Sequence, residues 1–307
     1  MNLFECVQQA GRQLEAAGVA FGHGTINAFD EAAWLVLWRL GLPLDALDEH
    51  ASRRLSAAEQ QQVLALIDER IRTRRPAAYL TGEAWLQGVP FFVDERTIVP
   101  RSLIAEPLAA GDIDALLGRE PELVLDLCTG NGSLAVLAAM AWPRVQVLAT
   151  DLSDDALAVA RRNVQRHGLA ARIELRQGDG LAALHAAERF DLVLCNPPYV
   201  NAASMSELPP EFRAEPALAL AGGGDGMDFV RPLLAGIAAH LAPGGVLVLE
   251  VGHERAHFEA AFPRLEAVWL DTSAGGDAVL LLAREALLVR ATPPRAAGQR
   301  GRKAAAR

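Results

Sequence analysis

Phe190-Asp191-Leu192-Val193-Leu194-Cys195-Asn196-Pro197-Pro198-Tyr199 carries the reading of the fold. The first six residues form a short apolar run closed by a breaker, the pattern of a buried strand. Two consecutive prolines then fix φ near −65°, remove two donors and push each preceding residue out of the helical region. Asn196 therefore stands in a stiffened loop at the carboxyl end of a strand, where open α/β sheets bind their ligands. Carbonyl oxygens of such a loop can converge on one polar group, with the flat ring of Tyr199 beside it. That arrangement suits the presentation of a planar NH2 group to an electrophile.

Outward from this stretch, apolar strands alternate with helical periods from Leu123 onward. Strands are expected at Leu123–Cys128, Val145–Thr150, Arg172–Arg176, Phe190–Cys195 and Gly245–Val251, with two more near Leu265–Leu270 and Ala278–Ala283. Helices are expected at Ser133–Ala141, Asp154–His167, Gly226–His240 and His253–Phe262. The β-α-β alternation with short loops predicts a parallel, doubly wound sheet, and the Gly275-Gly276 turn predicts an antiparallel hairpin at its end. Before Leu80 the chain shows helical periods only. Acids open a helix at Phe29–Trp38, and Ser56 with Glu59 forms a capping box ahead of Val63, Leu64, Ile67 and Ile71. The segment Trp85–Val93, followed by Thr97–Val99, reads as a hairpin joining the two parts. The expected organisation is a helical domain at 1–82, a hairpin linker at 83–100, an α/β domain at 101–290 and a basic tail at 291–307.

The first strand-to-helix turn is Asp126-Leu127-Cys128-Thr129-Gly130-Asn131-Gly132. Gly130 and Gly132 permit a tight turn and a close approach of backbone to ligand. The spacing is not that of a dinucleotide fingerprint, since Cys128 replaces the first glycine, and no Lys-Ser/Thr follows to cradle a triphosphate. Asp151 ends the next strand, placed to accept both hydroxyls of a ribose. Asp179, between Gly178 and Gly180, is suited to an adenine amino group.

The whole chain carries a net charge of −9, and the tail concentrates Arg295, Arg300, Arg302, Lys303 and Arg307. The body is thus more acidic than the total, which disfavours a broad duplex-binding face. The tail has the composition of a disordered segment, with RNA a possible weak contact. Three cysteines, Cys6, Cys128 and Cys195, are too few for a disulfide framework and read as buried small hydrophobes. His23, His167, His185 and His253 lack ligand spacing and read as surface or cap residues; no metal is expected. No stretch approaches a membrane span and the start lacks a signal pattern, so a soluble, cytoplasmic protein is expected.

Together, Asp126, the glycine loop, Asp151 and the Asn-Pro-Pro-Tyr motif resemble the seven-stranded S-adenosylmethionine-dependent methyltransferases over roughly residues 101–285. The motif narrows the resemblance to the branch that methylates amino groups, which holds DNA adenine and protein-glutamine methyltransferases. Ile98–Ser102, Ala221–Gly226 and Pro76–Gly82 resemble the protein-glutamine family. Phe21–Glu31 and Val99-Pro100-Arg101-Ser102 are similar to the members acting on a large-subunit ribosomal protein, the third. The members acting on release factors have Pro and an acid after the Arg. Two departures stand out: Asn131 where the family often has Ser or Thr, and Gly180 where an aromatic often follows the acid.

The resemblance implies S-adenosyl-L-methionine as cofactor, held by Asp126, Cys128, Thr129, Gly130, Asn131, Gly132, Asp151, Asp179 and Asn196. It implies Asn196, Pro197 and Tyr199 as catalytic residues, with Pro198 and Arg101 also at the substrate, although Arg101 could equally pair with a nearby acid. The acceptor it implies is a glutamine amide of the ribosomal protein, with the helical domain recognising substrate. Alternatives are a release-factor acceptor, DNA adenine methylation, which the acidic body disfavours, and a non-catalytic ribosome-assembly factor.

Overall fold

Nine strands form two sheets in a computed structural model that describes residues 1–291. The small sheet is the hairpin of β1 (Glu83–Leu86) and β2 (Val89–Phe92). Its two-residue turn, Gln87-Gly88, takes positive φ at both positions, matching the twist of the strands it joins. The Thr97–Val99 segment adds no strand: its polar groups are taken instead by Tyr79, whose hydroxyl donates to the Thr97 carbonyl (2.6 Å), and by Glu215, which accepts the Val99 N–H (2.8 Å).

The large sheet holds β3 (Leu123–Leu127), β4 (Gln146–Asp151), β5 (Ile173–Gln177), β6 (Phe190–Cys195), β7 (Leu241–Glu250), β8 (Val268–Thr272) and β9 (Gly275–Ala283). Its order is β5-β4-β3-β6-β7-β9-β8, parallel as far as β7 and antiparallel at β9 and β8. The chain winds outward from β3 through β4 to β5, then returns to lay β6 on the other side of β3. The crevice at that reversal is where doubly wound sheets bind ligands. Alternation along β6 explains its unbroken apolar run: Leu192 and Leu194 join the core on one face, Val193 and Cys195 the core on the other.

The first eighty residues form a bundle built on helices Leu3–Ala16, Ala28–Arg39 and Ala57–Thr73, with its own apolar core. Ser56 caps the third of these through a capping box with Glu59, as the sequence predicts. Of its expected inward face, Val63 and Ile67 are buried, while Leu64 and Ile71 are only half-buried; Leu66 and Arg70 complete it. Glu31 lies in the first turn of the second helix, as expected, and it is also a buried partner of Arg70, Oε1 accepting from Nε at 2.8 Å.

Arg70 is entirely buried and also donates to the Ala20 carbonyl (3.1 Å) and to Glu211 (3.4 Å). Arg74 reaches the same Glu211 oxygen at 3.1 Å. Glu211 belongs to the irregular stretch between β6 and β7, where short helices at Ala202–Glu207 and Pro210–Arg213 had no periodic signal. Buried charge thus fastens the bundle to a segment of the α/β part. No helix among the described residues is long and apolar enough to cross a membrane. The Arg-rich tail lies outside the described residues, apart from Ala291.

Candidate active site

Strand register places the site residues side by side. Leu127 pairs with Thr150 on one side and with Cys195 on the other. The residues that follow, Cys128, Asp151 and Asn196, are therefore neighbours along the carboxyl edge of three adjacent strands. A cavity of about 420 Å³ opens there, within the range of small-molecule sites. Of the expected site residues, Cys128, Thr129, Gly130, Asn131, Asp151, Asp179, Asn196, Pro198 and Arg101 line it.

Four expected site residues do not line the cavity. Asp126 is buried behind the loop: its Oδ2 accepts from the Thr129 hydroxyl and from the Ala135 N–H (2.9 Å). It braces the turn and the first turn of helix Ser133–Ala141. Burial pushes its pKa up to about 7, against the pull of those two donors. Gly132 is needed for packing, since a Cβ there would meet Ala160 Cβ at 3.1 Å and the backbone has φ +81°. Pro197 is buried. Tyr199 turns its hydroxyl to Glu250 (3.0 Å).

Asp151 is built as a cradle rather than as a helix acid. Its Oδ2 accepts the Gly130 N–H and its Oδ1 the Ser153 N–H, both at 2.9 Å. Each oxygen keeps a further lone pair, and Ser153 takes over the capping of helix Asp154–Arg166. Cys128 holds a left-handed conformation (φ 63°), so the chain bends there as it would at the missing first glycine. Cys128 is half-buried, whereas Cys6 and Cys195 are buried as expected.

Phe229 was not legible as a site residue. It lines the cavity, and a Cβ on Gly180 would stand 3.6 Å from its ring. An aromatic face therefore stands beside Asp179 even though Gly180 carries none. Phe229→Ala is expected to weaken cofactor affinity about tenfold, within the worth of one lost base-stacking ring, with kcat little changed; titration calorimetry checks this.

Arg101 lines the cavity but is committed to Glu215. Its Nη2 donates to Oε2 at 2.7 Å and its Nη1 to Oε1 at 2.5 Å, a two-pronged pair, with the Phe212 ring 5.5 Å from the guanidinium. The Glu215 carboxylate is itself buried, and His23 Nε2 lies 3.5 Å from it. His23 is thus a buried residue packed on Phe212 at 4.2 Å, not the surface or cap residue expected. Burial alone would raise the Glu215 pKa, but His23 and Arg101 outweigh it and hold the carboxyl at about 2. A carboxyl depressed in the folded state stabilises above its unfolded pKa and loses that contribution as pH falls through the folded one. The stability gap between the wild type and Glu215→Gln should thus be full above about pH 4.5 and shrink by about 3 kcal/mol toward pH 2. Urea unfolding across that range measures it.

Among the described residues, neither the Asn196 side chain nor the Pro197 carbonyl has a hydrogen-bond partner. Tyr199, by contrast, is closely held: a Cβ on Gly252 would fall 2.4 Å from its Cε2, and one on Gly226 2.3 Å from its carbonyl oxygen. Gly222 and Gly226 are therefore where the chain closes on the motif.

The arrangement fits S-adenosylmethionine on an observation internal to the protein. Thr97 Oγ1, Asn131 Nδ2 and Thr150 Oγ1 are buried polar atoms with no protein partner, and all three residues line the cavity. Buried donors and acceptors are rarely left unmatched, so these mark places for ligand groups.

Comparison with known proteins points the same way. A model of the methyltransferase small domain matches residues 113–227. The chain is 56% identical to the ribosomal protein uL3 glutamine methyltransferase of Bordetella pertussis, over 93% of this chain and 96% of that one. It is 52% identical to the Burkholderia pseudomallei protein of the same name, over 91% and 93%. Likeness to the Neisseria gonorrhoeae protein of that name is 47%, over 89% and 91%.

Proposed function

The chain belongs to the ribosomal protein uL3 glutamine methyltransferases, and on that premise we propose that Asn196 presents the glutamine side-chain amide for methylation. It is a protein-glutamine N-methyltransferase that uses S-adenosyl-L-methionine and acts on a large-subunit ribosomal protein. When bound, S-adenosylmethionine supplies a methyl group activated by its sulfonium. The protein's residues supply position and polarisation.

An amide nitrogen is a poor nucleophile because its lone pair is shared with the carbonyl. With the Asn196 side-chain oxygen and the Pro197 carbonyl each accepting one of its N–H bonds, electron density on nitrogen rises and the amide plane is fixed. Orientation of this kind can be worth about 7–11 kcal/mol of a barrier. The ring of Tyr199 packs the amide, and Pro198 stiffens the loop. Asp151 would hold the ribose hydroxyls and Asp179 and Phe229 the adenine, while Cys128–Asn131 would line the place of the rest of the cofactor. Asp126, Gly132 and Arg101 act by shaping the loop and the cavity wall.

The observation that carries this reading is the unpartnered Asn196 amide at the cavity, one residue beyond the paired end of β6. The helical domain at 1–82 is the part that recognises substrate, the hairpin segment at 83–100 its link to the catalytic domain at 101–290. The cytoplasm, where ribosomal proteins are made, is its place of work, and DNA is not an acceptor. Offering undermethylated ribosomal protein uL3 and a release factor together, with labelled cofactor and peptide mapping, tests the assignment. Label on a glutamine of uL3 is expected; label on the release factor or on no glutamine refutes it.

A further inference from the structure

We propose that Glu250 is a positioning residue, which sets the ring of Tyr199 for catalysis and ties it to the segment that precedes the catalytic sheet. Three donors converge on its buried carboxylate. Tyr199 Oη donates to Oε1 at 3.0 Å, while Ser102 Oγ and the Leu103 N–H donate to Oε2 at 2.7 and 2.9 Å. Ser102 and Leu103 immediately follow Arg101 in the cavity wall, and Glu250 ends β7, the neighbour of β6. One carboxylate thus joins the wall, the end of the next strand and the last residue of the motif.

The rest of Tyr199 explains why its hydroxyl needs such an anchor. Its backbone is confined by Gly222, where a Cβ would fall 2.7 Å from Tyr199 Cα, and by Gly226. Its ring lies against Gly252, two residues beyond Glu250. These contacts restrain the base and one edge of the ring, and the hydrogen bond to Glu250 fixes the tip. A hydroxyl bonded to a buried carboxylate is worth more than a neutral pair, and breaking it leaves a buried acceptor short of a donor. Glu250 does not line the cavity, so an effect on turnover must pass through Tyr199 or through the Ser102-Leu103 segment.

This inference rests on the reading of Tyr199 as the residue that packs the glutamine amide. The test uses the full chain, labelled cofactor and ribosomal protein uL3, with a mutant cycle of Tyr199→Phe, Glu250→Gln and the double variant. Each single change is expected to lower kcat about tenfold, with the dissociation constant of S-adenosylhomocysteine nearly unchanged. The double variant is expected to lose no more than either single one. A double loss near the product of the two, about a hundredfold, overturns the proposal. So does Glu250→Gln with a lower unfolding midpoint but an unchanged kcat, the outcome of a purely structural role. Should Glu250→Gln fail to fold, Ser102→Ala serves in its place: its loss of kcat must vanish in the Tyr199→Phe background, and an equal loss there refutes the link. Asn196→Ala run in parallel separates the two readings. Activity in that variant would remove the catalytic assignment itself, whereas an inactive Asn196→Ala with a multiplicative cycle removes only the role of Glu250.

Discussion

Asn196→Ala should lower methyl transfer by a factor on the order of a thousand while leaving cofactor affinity within a few fold. The magnitude follows from losing one preorganised acceptor at the reacting atom, which costs about 10²–10³ in turnover in comparable sites, together with a loss of orientation. On the proposed assignment cofactor binding is spared, because Asp151, Asp179, Phe229 and the glycine loop, which also line the cavity, are left intact. Asn196→Asp is the sharper companion. It keeps shape and an acceptor but places a charge where a neutral amide must dock, so kcat should fall without loss of folding. Single-turnover rates and S-adenosylhomocysteine titrations on the same preparations separate these effects. Turnover of Asn196→Ala near the wild-type rate would remove the residue from the mechanism.

Arg70→Ala should be the most destabilising single change, by about 3–5 kcal/mol, the cost of breaking a buried ion pair from one side. Arg70, Glu31 and Glu211 are all essentially inaccessible to water. Burial pushes the Glu31 carboxyl up, with Arg70 the main force against it. Removing the guanidinium leaves that carboxyl buried without its cation, with the Thr25 hydroxyl still donating to Oε2 at 3.2 Å, whereas Glu211 keeps Arg74. Glu211 shortly precedes Glu215, the partner of Arg101, and Pro216, which lines the cavity, so activity should decline along with stability. Replacing Arg70 and Glu31 together by Met and Leu should recover much of the loss, because the desolvation penalty disappears with the charges. A urea midpoint for Arg70→Ala close to that of the wild type would contradict this account of the bundle's attachment.

Local pattern made most of the sheet readable before any coordinates. The run Phe190–Cys195 is a strand over those same residues, and Ser133–Ala141 is a helix as expected. Asp151 and the glycine loop were legible because turn chemistry and strand ends leave short-range marks. What stayed hidden is long-range pairing. Glu215 meets Arg101 across 114 residues of sequence, and neither residue differs locally from a solvated charge. Glu250 fell inside the expected strand Gly245–Val251 with nothing local to mark it, although it ties Ser102 to Tyr199. The stretch from Ala202 to Leu220 is cut by Pro209-Pro210 and Pro216 into short pieces, too short for helical or strand periodicity to show. The helix expected from Gly226 begins only at Val230, because Gly222 and Gly226 are used against Tyr199. Phe229, inside that expected helix, carries no local mark of a site residue, yet it packs against the core and lines the cavity.

A crystal structure of the protein with S-adenosylhomocysteine and a glutamine-containing peptide of ribosomal protein uL3 would test the central claim most directly. The account predicts the glutamine amide nitrogen within hydrogen-bond distance of both the Asn196 side-chain oxygen and the Pro197 carbonyl, with the Tyr199 hydroxyl still on Glu250. A glutamine amide seated elsewhere, with Asn196 bonded to the protein or to the cofactor alone, would contradict it.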